Sequence, residues 1–113
     1  MTGRNPLLTS PPYPVDKAIK NLGANLRVAR LRRNLAIQDV ADKIGTGPRA
    51  VADAEKGKPS TGIAVYVALL WTFGLLGQFA ELAAPDRDEE GLALARGGMR
   101  QRARQKDELD NDF

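Results

Sequence analysis

Residues 36–58 read AIQDVADKIGTGPRAVADAEKGK, and this stretch decides the fold. Ile37, Val40, Ala41 and Ile44 recur at the spacing that lines one side of a helix over two turns. Gly45 then stands where helices commonly stop in the left-handed conformation. After Thr46 and Gly47, Pro48 occupies a place where its fixed φ and missing N–H suit the first residue of a new helix. That second helix is expected over 48–56, burying Val51 and Ala54 and ending at Gly57. Two short helices joined by a few residues around a glycine form a helix-turn-helix unit on spacing alone.

Working outward, Val15, Ala18, Ile19, Leu22, Leu26 and Ala29 predict an amphipathic helix that runs to about Arg33. Downstream, KPSTG at 58–62 is a break in which Ser60 or Thr61 can cap a further helix. Ile63, Tyr66, Val67, Leu70 and Phe73 mark one face of that helix, while Val65, Leu69 and Trp71 lie off it. A helix apolar nearly all round must be covered on more than one side. Leu75, Leu76, Phe79, Leu82 and Ala83 predict a fifth helix, ended by Pro85. There is no strand pattern and no internal repeat. The expected layout is all-α: a flexible arm over 1–14, a five-helix domain over 15–84, a short acidic helix or connector over 85–96, and a disordered charged tail over 97–113.

A chain of 113 residues suits one compact domain with tails. It contains neither Cys nor His. Their absence removes disulfides, the commonest general base and nearly every zinc or iron ligand set, so an enzyme is not expected and no metal or cofactor is called for. The start, MTGRNPLLTSPPYP, lacks the apolar core of a secretory signal, which leads us to expect a cytoplasmic protein. The uncharged run 62–80 approaches membrane-spanning length, but Gly74, Gly77 and Gln78 interrupt it and a helix pair explains it better. Net charge is +3 and unevenly spread. Lys17, Lys20, Arg27, Arg30, Arg32 and Arg33 face only Asp16 in 14–35, whereas Glu81, Asp86, Asp88, Glu89 and Glu90 outnumber Arg87 in 59–95. Such a division offers a basic side to phosphates, or else a solvated surface.

Several of these residues carry a resemblance. Leu22-Gly23, Leu26-Arg27, Arg30, the run VADKIG at 40–45, Val51 and Glu55-Lys56-Gly57-Lys58 resemble the XRE (xenobiotic-response-element) family of lambda-repressor-like DNA-binding domains, over roughly residues 21–78. Residues 60–104, with the apolar run, the Pro-Asp-Arg-Asp pattern and the basic tail, look like HipB-type antitoxins paired with HipA-type kinase toxins. The resemblance implies a transcriptional repressor that binds double-stranded DNA at an inverted-repeat operator as a homodimer, and a kinase toxin as a further partner.

In that family the second helix of the unit enters the major groove, which here would bring Pro48, Arg49, Ala52 and Asp53 to base edges. Arg49 is the strong reader, since a guanidinium grips O6 and N7 of guanine; the alternative is an i, i+4 pair with Asp53 on a solvated face. Asp53 would accept from a cytosine amino group or, the reading we favour, orient Arg49. Ala52 would meet a thymine methyl or simply fill space. Pro48 departs from the polar residue, often Gln, found there in related repressors. A second departure is Ala36-Ile37, where the family has a Ser or Thr cap followed by Gln; the missing hydroxyl costs about 1 kcal/mol, and Gln38 is the candidate substitute.

Phosphate contacts are expected from Arg27, Arg30, Arg32, Arg33, Gln38, Lys43, Lys56 and Lys58. The resemblance also implies that Arg30 pairs with Glu55 while keeping an edge toward DNA. Trp71, Phe73, Leu75, Leu76 and Phe79 form the expected dimer interface, because so much apolar surface exceeds what a small monomer covers. Arg96, Arg100, Arg102, Arg104 and Lys106 form a basic strip that is a solvated end, an extra phosphate contact or a dock for an acidic protein surface. The competing reading of the whole chain is a degenerate helix-turn-helix that serves as a protein-interaction module.

Overall fold

The computed structural model describes the backbone of residues 5–111 and the side chains through residue 104. These residues form helices joined by turns and loops, with no strand among them. They divide into two compact units, the first ending at Phe79 and the second beginning at Ala80.

The first unit holds α1 (Pro6–Thr9), α2 (Tyr13–Arg32), α3 (Ile37–Ile44), α4 (Pro48–Glu55), α5 (Ile63–Thr72) and α6 (Leu76–Ala80), the last of which straddles the division. Of the arm expected over 1–14, residues 1–4 lie outside the described residues. The rest is ordered: Asn5 caps α1, its side-chain oxygen accepting from Leu7 N–H at 3.0 Å.

The apolar period of α3 and α4 does what it must for two short helices. Val40 and Ala41 on one, Val51 and Ala54 on the other, are at most 1% exposed. They meet Leu26 and Ala29 of α2, Tyr66, Leu69 and Leu70 of α5, and Phe73, and together these residues are the core. Between α3 and α4, Gly45 takes φ of 80°. The N–H groups of Gly45 and Thr46 both close on Ala41 O at 3.0 Å, so the chain turns sharply before Gly47 and Pro48 open α4. The cap missing at Ala36 is offset from the other side: Asp39 Oδ2 accepts from Ala36 N–H at 3.1 Å.

A closer approach ties α2 to the end of α4. A Cβ on Gly23 would meet the carbonyl oxygen of Ala54 and lie 2.8 Å from Glu55 O and Gly57 N. A Cβ on Gly57, which has φ of 68°, would meet Lys20 Cα and lie 2.8 Å from Ile19 O. The two backbones touch there without side chains between them. Because the obstructing atoms are backbone, they yield only by shifting a helix. Gly23→Ala is expected to destabilise by about 1–3 kcal/mol, the range for overpacking a tight contact, read as a lower urea midpoint; an unchanged midpoint would show that the helices can separate freely.

In the second unit a 3-10 turn, Pro85–Arg87, precedes α7 (Glu89–Asn111). Asp88 Oδ1 accepts from Gly91 N–H at 3.0 Å and caps α7. The short acidic helix expected over 85–96 therefore continues to Asn111, and residues 112–113 of the segment expected to be disordered lie outside the described residues. Ala, Leu, Arg, Gln and Lys are good helix formers whether or not they are buried, and an argument from burial alone overlooks that.

Candidate nucleic-acid interface

The outward side of α4 is dictated by its inward side. With Val51 and Ala54 turned to the core, Arg49, Ala52, Asp53 and Lys56 fall on the opposite stripe. Pro48, Arg49 and Lys56 are exposed or nearly so, and Ala52 and Asp53 half-buried. Arg49 has no ion-pair partner among the described residues, so its guanidinium is free to meet an anion or a base edge.

Asp53 does not orient Arg49. Lys58 Nζ lies 3.1 Å from Asp53 Oδ1, and Lys58 N–H donates to Asp53 O at 3.1 Å. The turn at Gly57 folds Lys58 back over the last turn of α4, and a pairing made through such a turn has no signature in helical spacing. The same contact engages Lys58, one of the cations expected to face phosphates.

Arg30 is held by three hydrogen bonds. Its Nε donates to Glu55 Oε2 at 2.6 Å, Nη2 to Glu55 Oε1 at 3.0 Å and Nη1 to Leu35 O at 2.8 Å. Hydrogen bonding to Glu55 raises its pKa above the ordinary value against the opposing effect of burial, so it stays charged. With the residue only 7% exposed, this guanidinium has little left to offer DNA. Its place is the floor of a depression of about 250 Å³ lined by Arg27, Arg30, Ile37, Ala52, Glu55 and Lys56. The depression gathers α2, α3 and α4 into one surface, with exposed Arg27 and Lys56 as its cations and Ile37 and Ala52 as its apolar part.

The other expected phosphate contacts lie elsewhere or are engaged. Arg33 donates to Ala29 O and to Phe73 O, both at 2.9 Å, and its guanidinium sits 5.4 Å from the Phe73 ring centre, fastening α2 to the end of α5. Arg32 is exposed but lines a separate depression of about 340 Å³ with Asn25, Val28 and Leu75. Lys43 Nζ stands 5.4 Å from the centre of the Trp71 ring. Gln38 donates to Asp42 Oδ1 at 2.8 Å, within its own helix. Arg27 and Lys56 are thus the exposed cations that share a surface with α4.

The expected interface set separates by burial. Trp71 is 54% and Leu76 38% exposed, Leu75 and Phe79 pack partly against the core, and Phe73 at 4% belongs to the core of its own chain. Phe73 therefore leaves the interface set, because the last turn of α5 points it inward under Arg33. Ile63, 68% exposed at the start of α5, is a larger apolar surface than the sequence pattern suggests.

One positioning residue was not singled out from the sequence. The Tyr66 hydroxyl donates to Lys58 O at 3.0 Å, anchoring the loop after α4 to the core. Burial pushes its phenol above the usual value. An acid with a raised folded-state pKa contributes stability below the unfolded value near 10 and loses it as pH rises further. Tyr66→Phe should cost about 1 kcal/mol at neutral pH and flatten the loss of stability on the alkaline side, both measurable by denaturant titration.

The chain is 34% identical over 58 residues to an uncharacterised HTH-type transcriptional regulator, y4mF, of Sinorhizobium fredii, which is 51% of this chain and 76% of the relative. It belongs to the helix-turn-helix transcriptional regulators. No family model matches the chain, and no solved structure does so either. Within it α3 and α4 are two short helices joined by a tight turn at Gly45, and the Arg49 stripe is the outward side of the second. No helix among the regulator's described residues is long and apolar enough to cross a membrane.

Proposed function

We propose that this regulator is a sequence-specific transcriptional repressor that lays α4 in the major groove of an inverted-repeat operator, two copies acting as a homodimer. The observation that carries the reading is the exposed guanidinium of Arg49, without an ion-pair partner among the described residues, at the first turn of α4, on the helix whose other side is locked into the core. Arg49 reads guanine, Ala52 meets a neighbouring thymine methyl, and Arg27 and Lys56 hold phosphates on either side. Pro48 gives α4 its start and makes no side-chain hydrogen bond. Trp71, Leu76 and Ile63 supply exposed apolar surface for the two-fold contact, with Leu75 and Phe79 beneath. The protein is then a binder rather than a catalyst, working in the cytoplasm where DNA is.

The resemblance of residues 60–104 supports a narrower form of the proposal, an antitoxin that represses its own operon and holds a HipA-type kinase toxin. Co-purification with the product of an adjoining kinase-like reading frame tests that form directly.

A second reading has its own observation. Arg30, Arg33 and Lys58 are engaged within the chain, and so is the amide of Gln38, which leaves few groups free for phosphates around α3 and α4 and suits a protein-interaction module. Selection from a random duplex pool, with titration over salt afterwards, separates the two. A repressor enriches an inverted repeat and binds it about 10³-fold or more tighter than random duplex, with affinity falling steeply as salt rises. An interaction module enriches nothing.

A further inference from the structure

The proposed function uses nothing in α7, although it is a helix of 23 residues. Every described side chain from Leu92 to Arg104 is exposed, so this stretch of the helix has no buried side to hold it. Gly97 and Gly98 weaken it further near its middle. Arg96, Arg100 and Arg104 recur every fourth residue, which at about 1.5 Å of rise per residue sets them about 6 Å apart along one side. Neither Arg96 nor Arg100 has an acidic residue three or four positions away, and Arg104 has Asp107 and Glu108 only on its C-terminal side. Like charges at this spacing repel and oppose the helix. An evenly spaced row of anions removes the repulsion and favours the helical form.

The opposite side of α7 selects among anionic partners. Its described residues are Gly91, Ala95, Gly98 and Arg102, small or charged, while the exposed apolar Leu92, Leu94 and Met99 are divided between the two flanks and form no single apolar side. A helix that lies in a membrane surface needs large apolar side chains there. The regular charge row and the helix-turn-helix of the first unit favour nucleic acid instead. We propose that the Arg96, Arg100 and Arg104 stripe is a second DNA contact, independent of sequence, that binds duplex phosphates and adds to the affinity supplied by α4. This rests on the reading of the first unit as a DNA binder.

The test uses the full chain and a variant carrying Arg96→Gln, Arg100→Gln and Arg104→Gln, since Gln keeps the helix propensity. Fluorescence polarisation tracks binding to the selected operator and to a random duplex over a range of KCl concentrations. Because the dimer presents the stripe twice, the variant's plot of log affinity against log salt should be shallower by about 5, at about 0.9 per phosphate. Random-duplex affinity should fall about tenfold or more at low salt, with no loss of the operator preference. Arg102→Gln, on the other side, should leave the slope as it is; an equal effect from it would reduce the stripe to net charge and overturn the proposal. An unchanged slope in the triple variant overturns it as well, whether the variant instead loses binding to phosphatidylserine vesicles or to poly-glutamate. A wild-type chain that shows no operator preference fails the reading of α4, while the random-duplex slopes still report on the stripe.

Discussion

Arg30→Ala and Glu55→Ala are each expected to destabilise the first unit by about 3–5 kcal/mol, the loss incurred when one member of a buried ion pair is left without the other. The pair is bidentate, with side chains 9% and 5% exposed, and Leu35 O takes the remaining guanidinium edge. Removing Arg30 strands a carboxylate and a carbonyl; removing Glu55 strands a cation. Domains of this size are stable by about 5–15 kcal/mol, so either change takes a large part of the whole. Urea titration monitored by circular dichroism reads it as a lower midpoint.

Replacing both partners separates charge from shape. Arg30→Met with Glu55→Leu removes both charges while keeping apolar volume, and is expected to recover most of the stability or exceed the parent. The recovered protein should keep operator binding, since the pair lies beneath the α4 surface and Arg49 is not part of it. Persistent instability in the double variant would mean that the hydrogen bond to Leu35 O, which fixes the turn between α2 and α3, matters more than the ion pair. A recovered fold without DNA binding would place Arg30 at the phosphates after all.

The sequence made α3 and α4 legible because each is governed by local rules. Ile37, Val40, Ala41 and Ile44 fix a face, Gly45 fixes a stop and Pro48 a start, and the helices Ile37–Ile44 and Pro48–Glu55 match them within a residue. The outward position of Arg49 is legible for the same reason: once Val51 and Ala54 face the core, geometry leaves Arg49 no other side. What escaped depends on meetings between distant residues. The contact of Gly23 with Gly57 joins two helices, and a glycine inside an amphipathic pattern does not announce its partner. Arg33 reaches Phe73 across 40 positions, and the engagement of Lys58 with Asp53 depends on a left-handed turn between them. Each of the last two removes a cation from a list that charge alone had filled, and Arg27 and Lys56 are the two that the folded surface leaves beside α4.

Arg49→Ala is expected to abolish the preference for the selected operator while leaving nonspecific binding largely in place. A bidentate grip on guanine is worth about 1–3 kcal/mol of discrimination. A two-fold dimer makes the contact at both half-sites, so the ratio of operator to random-duplex affinity should fall by about 2–6 kcal/mol in total. Stability should not change, since Arg49 is exposed and has no ion-pair partner among the described residues. Arg49→Lys distinguishes geometry from charge: lysine keeps the cation but loses the planar fork, and most of the preference should go with it. Lys56→Gln is the matching control, expected to weaken all duplexes alike and, with one lysine lost from each half of the dimer, to make the salt dependence shallower by about 1.8, at about 0.9 per phosphate. If operator preference survives in Arg49→Ala, α4 does not read the sequence with this side chain. The apolar pair of Ile37 and Ala52 beside Arg27 would then be the part of the surface left to discriminate between base pairs.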